Sequence, residues 1–437
     1  SIVVAAAGYG KSTFAEADAA DADVLRIDAG RALRSGLDDD PPGRSLVVED
    51  LHRLTATEQE ALVERVASVD GTVAVTLTSR EPLPPGARAR WVGPVSEIGP
   101  AELALSPGTV AAVLAEEYGL DDPELPSLVH RATAGWPMLV HLAAEAAARR
   151  PSADPVAALG QPGSAVAEWL HAEVLAPLPS GVVDLLAAVA DLDPLTPALV
   201  DHVLGSSRWA APGAVDRLLA TGLLVPDPRA TLVGRDELRL VPVLRSVLEG
   251  MPSEARSDPT RLSRAAEWFE SHDLGFAAVD AWWRAGRPAR AEELLVKRGA
   301  RMIAQGDGAA IIAFLASHEV GSSPAGGLDP GVRQTLGVSL NHAGQAYAAL
   351  GTFAPLVDSA DRDGWDAGLA VSVAAVHFSQ GDLPLARDTL DRIGPDDVPD
   401  NGEGIQWRAA RSNIASMLGD DDRARELAAA ALQLAGR

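Results

Sequence analysis

Ala5-Ala6-Ala7-Gly8-Tyr9-Gly10-Lys11-Ser12-Thr13 follows an apolar run that begins at Ile2 and precedes a helical stretch, Phe14–Ala20. Nucleotide phosphates need converging backbone N–H donors, a mobile cation and a hydroxyl for magnesium. Gly8 and Gly10 permit the tight turn, Lys11 supplies the charge and Ser12 the hydroxyl. The helix that follows offers the N–H groups of its first turn. Strand, glycine loop and helix in this order define a phosphate-binding loop at the head of an α/β domain. The full pattern opens on glycine, and here Ala5 takes that place.

A phosphate loop predicts an apolar strand ending in acids. Ser45-Leu46-Val47-Val48-Glu49-Asp50 fits, with Asp50 lying 39 residues beyond Lys11. One carboxylate would hold Mg²⁺ through its water shell and the other would polarise the attacking water; read alone, the acids are a solvated loop that caps the next helix. A third strand ends in Thr76-Leu77-Thr78-Ser79-Arg80. Arg80 there is a sensor of the terminal phosphate or a surface ion pair. Residues 1–100 carry apolar runs at Ile2–Ala5, Val24–Ile27, Leu46–Val48 and Thr72–Leu77, with a helical pattern from Thr57 to Val69. Continuous apolar strands alternating with helices predict a parallel sheet covered on both faces.

From residue 101 the pattern is helical. Ser106-Pro107 opens a helix as N-cap and first-turn proline, and Gly119 closes it. Further helices are predicted near 123–134, 137–150 and 164–175, with loops at Pro151–Pro155 and Gly160–Ser164. Helices near 179–191, 196–204 and 213–221 precede two short β runs, Leu223–Pro226 and Glu237–Val241, which predicts a winged-helix-like module. Residues 258–437 read as helical hairpins. An alanine recurs five residues after a turn glycine at Gly286/Ala291, Gly344/Ala349, Gly381/Ala386 and Gly419/Ala424. Small residues at fixed offsets and a period near 34–40 predict a TPR-like solenoid. Gly321-Ser322-Ser323-Pro324-Ala325-Gly326-Gly327 reads as a flexible break within it.

The 437 residues hold 61 acidic and 37 basic side chains, a net charge of −24, and no cysteine. That balance argues against a nucleic-acid surface, which needs clustered Lys and Arg. The missing cysteines exclude disulfides, thiolate zinc sites and thiol nucleophiles. No apolar run reaches the ~18 residues of a membrane span, no signal peptide is seen and no membrane partner is expected, so the reading is cytoplasmic. The chain starts on a strand and stops past a helix, which reads as a fragment. Asp38-Asp39-Asp40 reads as a solvated loop and Trp282-Trp283 as solenoid core.

Taken in order, Gly8-Tyr9-Gly10-Lys11-Ser12-Thr13, Leu46-Val47-Val48-Glu49-Asp50-Leu51-His52, Thr78-Ser79-Arg80-Glu81-Pro82 and Thr133-Ala134-Gly135-Trp136-Pro137 resemble the motif series of MalT-like STAND ATPases. These include large LuxR-type transcription activators. Trp169-Leu170-His171-Ala172-Glu173-Val174-Leu175 and Ala265-Ala266-Glu267-Trp268-Phe269 extend the resemblance along the chain. It implies a multidomain protein: a P-loop NTPase domain over 1–100, a helical lid over 101–163, and a winged-helix-like domain over 164–250. First helical repeats over 251–320 and TPR-like repeats over 321–437 complete it. The implied cofactors are ATP/ADP and Mg²⁺. Gly8, Tyr9, Gly10, Lys11, Ser12 and Thr13 would hold the phosphates, and Ser12 and Glu49 the metal. Asp50, Glu49 and Arg80 would carry catalysis, Arg80 as a sensor arginine. Pro137 would lie in the lid against the nucleotide. Read alone, Gly135-Trp136-Pro137 is a helix break, a buried tryptophan and a first-turn proline.

Four departures from the family stand out. Glu49 replaces the usual aspartate, one methylene longer. The interval between loop and acidic strand is short, and the adenine-holding segment ahead of the first strand is absent from this sequence. In Arg239-Leu240-Val241-Pro242, Val241 replaces a histidine that touches the phosphates, so a weaker ADP lock is expected. The function implied is a slow regulatory ATPase that switches on ATP and a signal. The repeats would sense an inducer or protein, and the active form would be a homo-oligomer. DNA binding would need a domain outside the chain. Alternatives are a nucleotide-dependent signalling or defence scaffold without transcriptional output, and a degenerate scaffold that binds no nucleotide.

Overall fold

The alternation of apolar strands and helices becomes a five-stranded, all-parallel sheet in the computed structural model. The structure describes residues 1–18, 24–35, 45–68, 74–91, 95–149, 159–204, 214–227, 237–252, 260–318, 328–394 and 396–436. The chain divides into two compact units, Ser1–Asp258 and Pro259–Arg437. The loops expected at Asp38–Gly43, Pro151–Pro155 and Gly321–Gly327 lie outside the described residues.

In the first unit the strands are β1 (Ile2–Val4), β2 (Val24–Asp28), β3 (Ser45–Glu49), β4 (Val75–Ser79) and β5 (Glu97–Ile98), in the order β2-β3-β4-β1-β5. Helices α1 (Lys11–Asp18), α2 (Ala29–Ser35), α3 (Ala56–Ala67) and α4 (Pro85–Arg90) connect them. Leu46, Val48 and Leu77 pack with Leu62, Val63 and Val66 of α3 in one buried cluster, which is why these strands are apolar without alternation. A capping box at Thr55 and Glu58 starts α3. The connection leaving β1 heads toward β2, and the one leaving β4 heads toward β5 on the other side. Their carboxyl ends therefore flank a crevice where the strand order reverses, the usual ligand position in such sheets.

The fourth strand begins at Val75, later than the run Thr72–Leu77 predicted, and continues through Thr78 and Ser79. Pairing with β1 in the register Ile2↔Leu77 and Val4↔Ser79 draws these polar residues into the ladder. The two-residue β5 has no sequence signal of its own and forms by pairing Ile2↔Glu97 and Val3↔Ile98.

Beyond the sheet come α5 (Pro100–Leu103), α6 (Pro107–Ala112), α7 (Leu125–Thr133), α8 (Pro137–Arg149) and α9 (Ala165–Trp169). Ser106 caps α6 by accepting from the Thr109 N–H. π-helical turns continue α6 over Val113–Glu117 and α9 over Leu170–Leu175. Then α10 (Ser180–Val189), α11 (Pro197–Leu204) and α12 (Ala214–Thr221) precede an antiparallel pair, β6 (Leu224–Pro226) and β7 (Leu238–Leu240), and α13 (Pro242–Glu249). Leu195 bridges Leu238 beside that pair.

The second unit is helical: α14 (Arg261–Ser271), α15 (Gly275–Arg284), α16 (Pro288–Ala304), α17 (Gly308–Ser317), α18 (Pro330–His342), α19 (Ala346–Asp363), α20 (Ala367–Ser379), α21 (Leu383–Leu390), α22 (Gly402–Met417) and α23 (Asp421–Ala435). Chain neighbours such as α14 and α15, α18 and α19, or α22 and α23 pack as hairpins. All four turn glycines singled out by the repeat pattern have φ between 71° and 85°, a left-handed conformation costly for other residues. Their partner alanines, Ala291, Ala349, Ala386 and Ala424, are buried. Trp282 is buried, and Trp283 meets Phe314 edge-on.

Candidate functional site

The loop after β1 turns through two left-handed glycines, Gly8 (φ 73°) and Gly10 (φ 76°). Ala5 has no such demand: it is fully buried, and its N–H continues the ladder to the Ser79 carbonyl at 3.2 Å. Glycine is therefore dispensable there. The backbone N–H groups of Gly8 to Thr13, six in a row, take no protein acceptor among the described residues. Pairing resumes only with Phe14, whose N–H reaches the Gly10 carbonyl at 2.8 Å. Such a ring of donors at a helix N-terminus is a ready anion cradle. Lys11 Nζ lies at its rim, donating to the carbonyls of Ala5 (2.9 Å) and Ala6 (2.8 Å). Ser12 and Thr13 are exposed.

Around the cradle the strand ends place their charges. Burial, reinforced by the nearby Arg80 cation and opposed by Asp50, pulls the Lys11 ammonium down to about 8. Asp50 holds a left-handed backbone (φ 62°), uncommon for a residue other than glycine. Its N–H reaches Thr78 Oγ1 at 3.4 Å and its carboxylate pairs with Arg53 at 3.0 Å. Glu49 ends β3 opposite Asp28, half-buried, and its side chain makes no hydrogen bond or ion pair among the described residues. The structure thus brings Lys11, Asp50 and Arg80 into one electrostatic group.

His52, for which no role was expected, also belongs to that group. Its Nδ1 accepts the Arg80 N–H at 3.3 Å. Burial lowers its imidazole to about 4, with Asp50 opposing and Arg80, Lys11 and Arg53 assisting. It is therefore neutral at physiological pH and ties the turn after β3 to the end of β4. Arg80 also reaches away from the crevice: Nη1 donates to the Glu173 carbonyl at 3.2 Å, and Nη2 pairs with the Glu173 carboxylate at 3.5 Å.

Two other segments of the first unit close on the loop. Trp136 is completely buried, stacks on Tyr9 with centroids 4.6 Å apart and meets Trp169 edge-on. Its Nε1 donates to the Ala7 carbonyl at 3.0 Å, and the Met138 N–H donates to the Gly8 carbonyl at 3.1 Å. A Cβ on Gly8 would fall 2.6 Å from Met138 Cβ and 2.8 Å from Trp169. Pro137, first residue of α8, is thereby held beside the loop. The second segment follows α12. The Thr221 carbonyl accepts the Ala6 N–H at 2.9 Å, and the Gly222 carbonyl accepts the Tyr9 hydroxyl at 3.1 Å. Burial pushes that hydroxyl's ionisation up, so it stays a donor. Val241 is buried with its N–H on the Leu223 carbonyl at 3.3 Å. The block's described hydrogen bonds to the loop thus come from Thr221 and Gly222. Gly222 does carry a local signal, a glycine directly after a helix.

The described residues contain no cluster of three His, Asp or Glu that would cage a metal. They do fit a Mg²⁺ ion bound mainly by phosphate oxygens and water, with one hydroxyl and one carboxylate from the protein. No helix is long and apolar enough to cross a membrane among the described residues.

A solved structure of a Signal Transduction ATPase with Numerous Domains protein with a tetratricopeptide repeat sensor, from Pyrococcus horikoshii, is similar to this chain at 13% identity. The match covers all of this chain and 74% of that one, with a TM-score of 0.32. That likeness is loose, and the site stands on its own geometry. No family model matches the chain, and no curated protein does.

Proposed function

We propose that this chain is a nucleotide-dependent switch, a P-loop ATPase of the STAND kind with a helical sensor. The observation that supports it is the row of six unclaimed N–H donors from Gly8 to Thr13, bordered by Lys11, Asp50, Arg80 and His52. Lys11 would balance the phosphates, and the Ser12 hydroxyl would face the metal, with Glu49 or Asp50 as the carboxylate reached through water. Asp50 is the better placed to orient a nucleophilic water, because it shares the field of Lys11. Pro137 would border the nucleotide, since α8 starts on the loop. When bound, Mg²⁺ and ATP supply the polarised terminal phosphate on which hydrolysis acts.

In this reading segments 101–163 and 164–250 act as lid and winged helix, and the hairpins of the second unit sense an inducer or a protein. A transcriptional output requires a basic DNA-binding domain elsewhere in the full-length protein. A signalling or defence scaffold has none, so the full-length sequence separates the two. Denaturing the purified protein and assaying the released nucleotide tests the core claim. Wild type should carry or bind ATP or ADP, and Lys11→Ala should not. A wild type with no bound nucleotide and no Lys11-dependent binding sinks the proposal and leaves the non-binding scaffold.

A further inference from the structure

The partner of Arg80 is set by a break in the hydrogen-bond register of a helix end. In the π turn Leu170–Leu175, the Ala176 N–H returns to the His171 carbonyl, and the Leu178 N–H goes to the Leu175 carbonyl. The donor five beyond Glu173 in the π register is Leu178, which is spent on Leu175, and the one four beyond is Pro177, which has no N–H to give. The Glu173 carbonyl is therefore one of the orphan acceptors of a helix end, and Arg80 fills it at 3.2 Å while pairing with the side chain of the same residue at 3.5 Å. A cation at this end also suits the helix dipole. The one guanidinium thus serves the last turn of the α9 helix and lies in the field of the loop lysine.

Resting on the nucleotide reading above, we propose that Glu173 is a specificity-determining residue that sets the preference of the site between nucleoside tri- and diphosphate. Oxyanions of a terminal phosphate compete with Glu173 for the guanidinium through charge-assisted bonds, whereas a diphosphate leaves Arg80 on the helix end. Triphosphate binding therefore works against the Arg80–Glu173 contact and uncaps the turn that ends at Leu175. Trp169, which meets Trp136 edge-on, lies immediately before that turn. The Arg80 and Glu173 side chains are 28% and 49% exposed, so the pair is a weak competitor and the effect is a few-fold.

The test uses the full chain and the affinities of ADP and a non-hydrolysable ATP analogue. Glu173→Ala should tighten the analogue about three- to five-fold and leave ADP unchanged, the scale of one partly exposed ion pair. Glu173→Asp should restore part of the wild-type ratio. In an Arg80→Ala background, Glu173→Ala should do nothing. Without any nucleotide, Arg80→Ala should speed amide exchange at Ala176 and Leu178. An unchanged analogue-to-ADP ratio in Glu173→Ala, together with unaltered exchange in Arg80→Ala, overturns the proposal even while Lys11→Ala still abolishes binding. A wild type that binds neither nucleotide removes the parent reading as well, which distinguishes the two failures.

Discussion

Replacing Trp136 by phenylalanine removes one N–H and keeps an aromatic ring against Tyr9. The Ala7 carbonyl that loses its donor is buried, at 7% exposure, so water cannot freely replace the bond. An orphaned buried acceptor costs about 1–3 kcal/mol, and a loss of about 2 kcal/mol lowers the midpoint of a unit this size by roughly 4–8 °C. Trp136→Ala also loses the Tyr9 stack and leaves a cavity, for a total of about 3–5 kcal/mol. Thermal unfolding of the full chain followed by far-ultraviolet circular dichroism gives both shifts. Amide exchange at Ala6 and Phe14, whose N–H groups are bonded on either side of the loop, reports whether the loop loosens with them. A Trp136→Phe shift under about 1 °C with unaltered exchange would refute the view that this bond seats α8 on the loop. Equal shifts for both variants would assign the effect to bulk rather than to the bond.

Unliganded Lys11, held near 8, must gain a proton to meet a polyanion at higher pH. Affinity should be flat below that pH and weaken above it. Calorimetric titration at pH 8 in two buffers of different ionisation heat should show proton uptake, and identical heats would count against it. His52 takes a proton at about 6.5 when unfolded but only near 4 when folded, so the unfolded state binds more protons in between. Its contribution is complete above pH 6.5 and is lost as pH falls through 4. Thermal midpoints from pH 4 to 7 should fall less steeply for His52→Gln than for wild type, and parallel curves would disprove the point. In the second unit, a Cβ on Gly337 would lie 2.5 Å from the Phe353 ring. Gly337→Ala should therefore destabilise the α18–α19 hairpin by about 1–3 kcal/mol, measured by urea unfolding. An unchanged midpoint would mean the two helices part without cost.

The features legible in the sequence are those whose demands are local. The loop glycines, the Ser106 cap and the glycine-alanine hairpins each answer to a backbone angle or a close approach within a few residues. Residues that meet only in space were not readable. Thr221 and Gly222 reach the loop from more than two hundred positions away. Glu49 and Asp50 look equivalent as neighbouring acids. Their backbones differ: Glu49 ends β3, whereas Asp50 turns left-handed and lies in the field of Lys11. The π turns were hidden because their apolar residues keep helical spacing.

The loop offers its two peptide edges to different clients. Carbonyls of Ala7 and Gly8 point to Trp136 and Met138, so the N–H groups of Gly8 and Tyr9 in the same trans peptides point the other way. A peptide plane is rigid, so turning the Gly8–Tyr9 peptide by half a revolution would swing an oxygen into the anion cradle and withdraw it from the start of α8. Anion filling and helix seating therefore select the same orientation of that plane. In the proposed switch the loop would work as a two-sided ratchet tooth, in which a ligand on one edge secures the helix on the other without touching it.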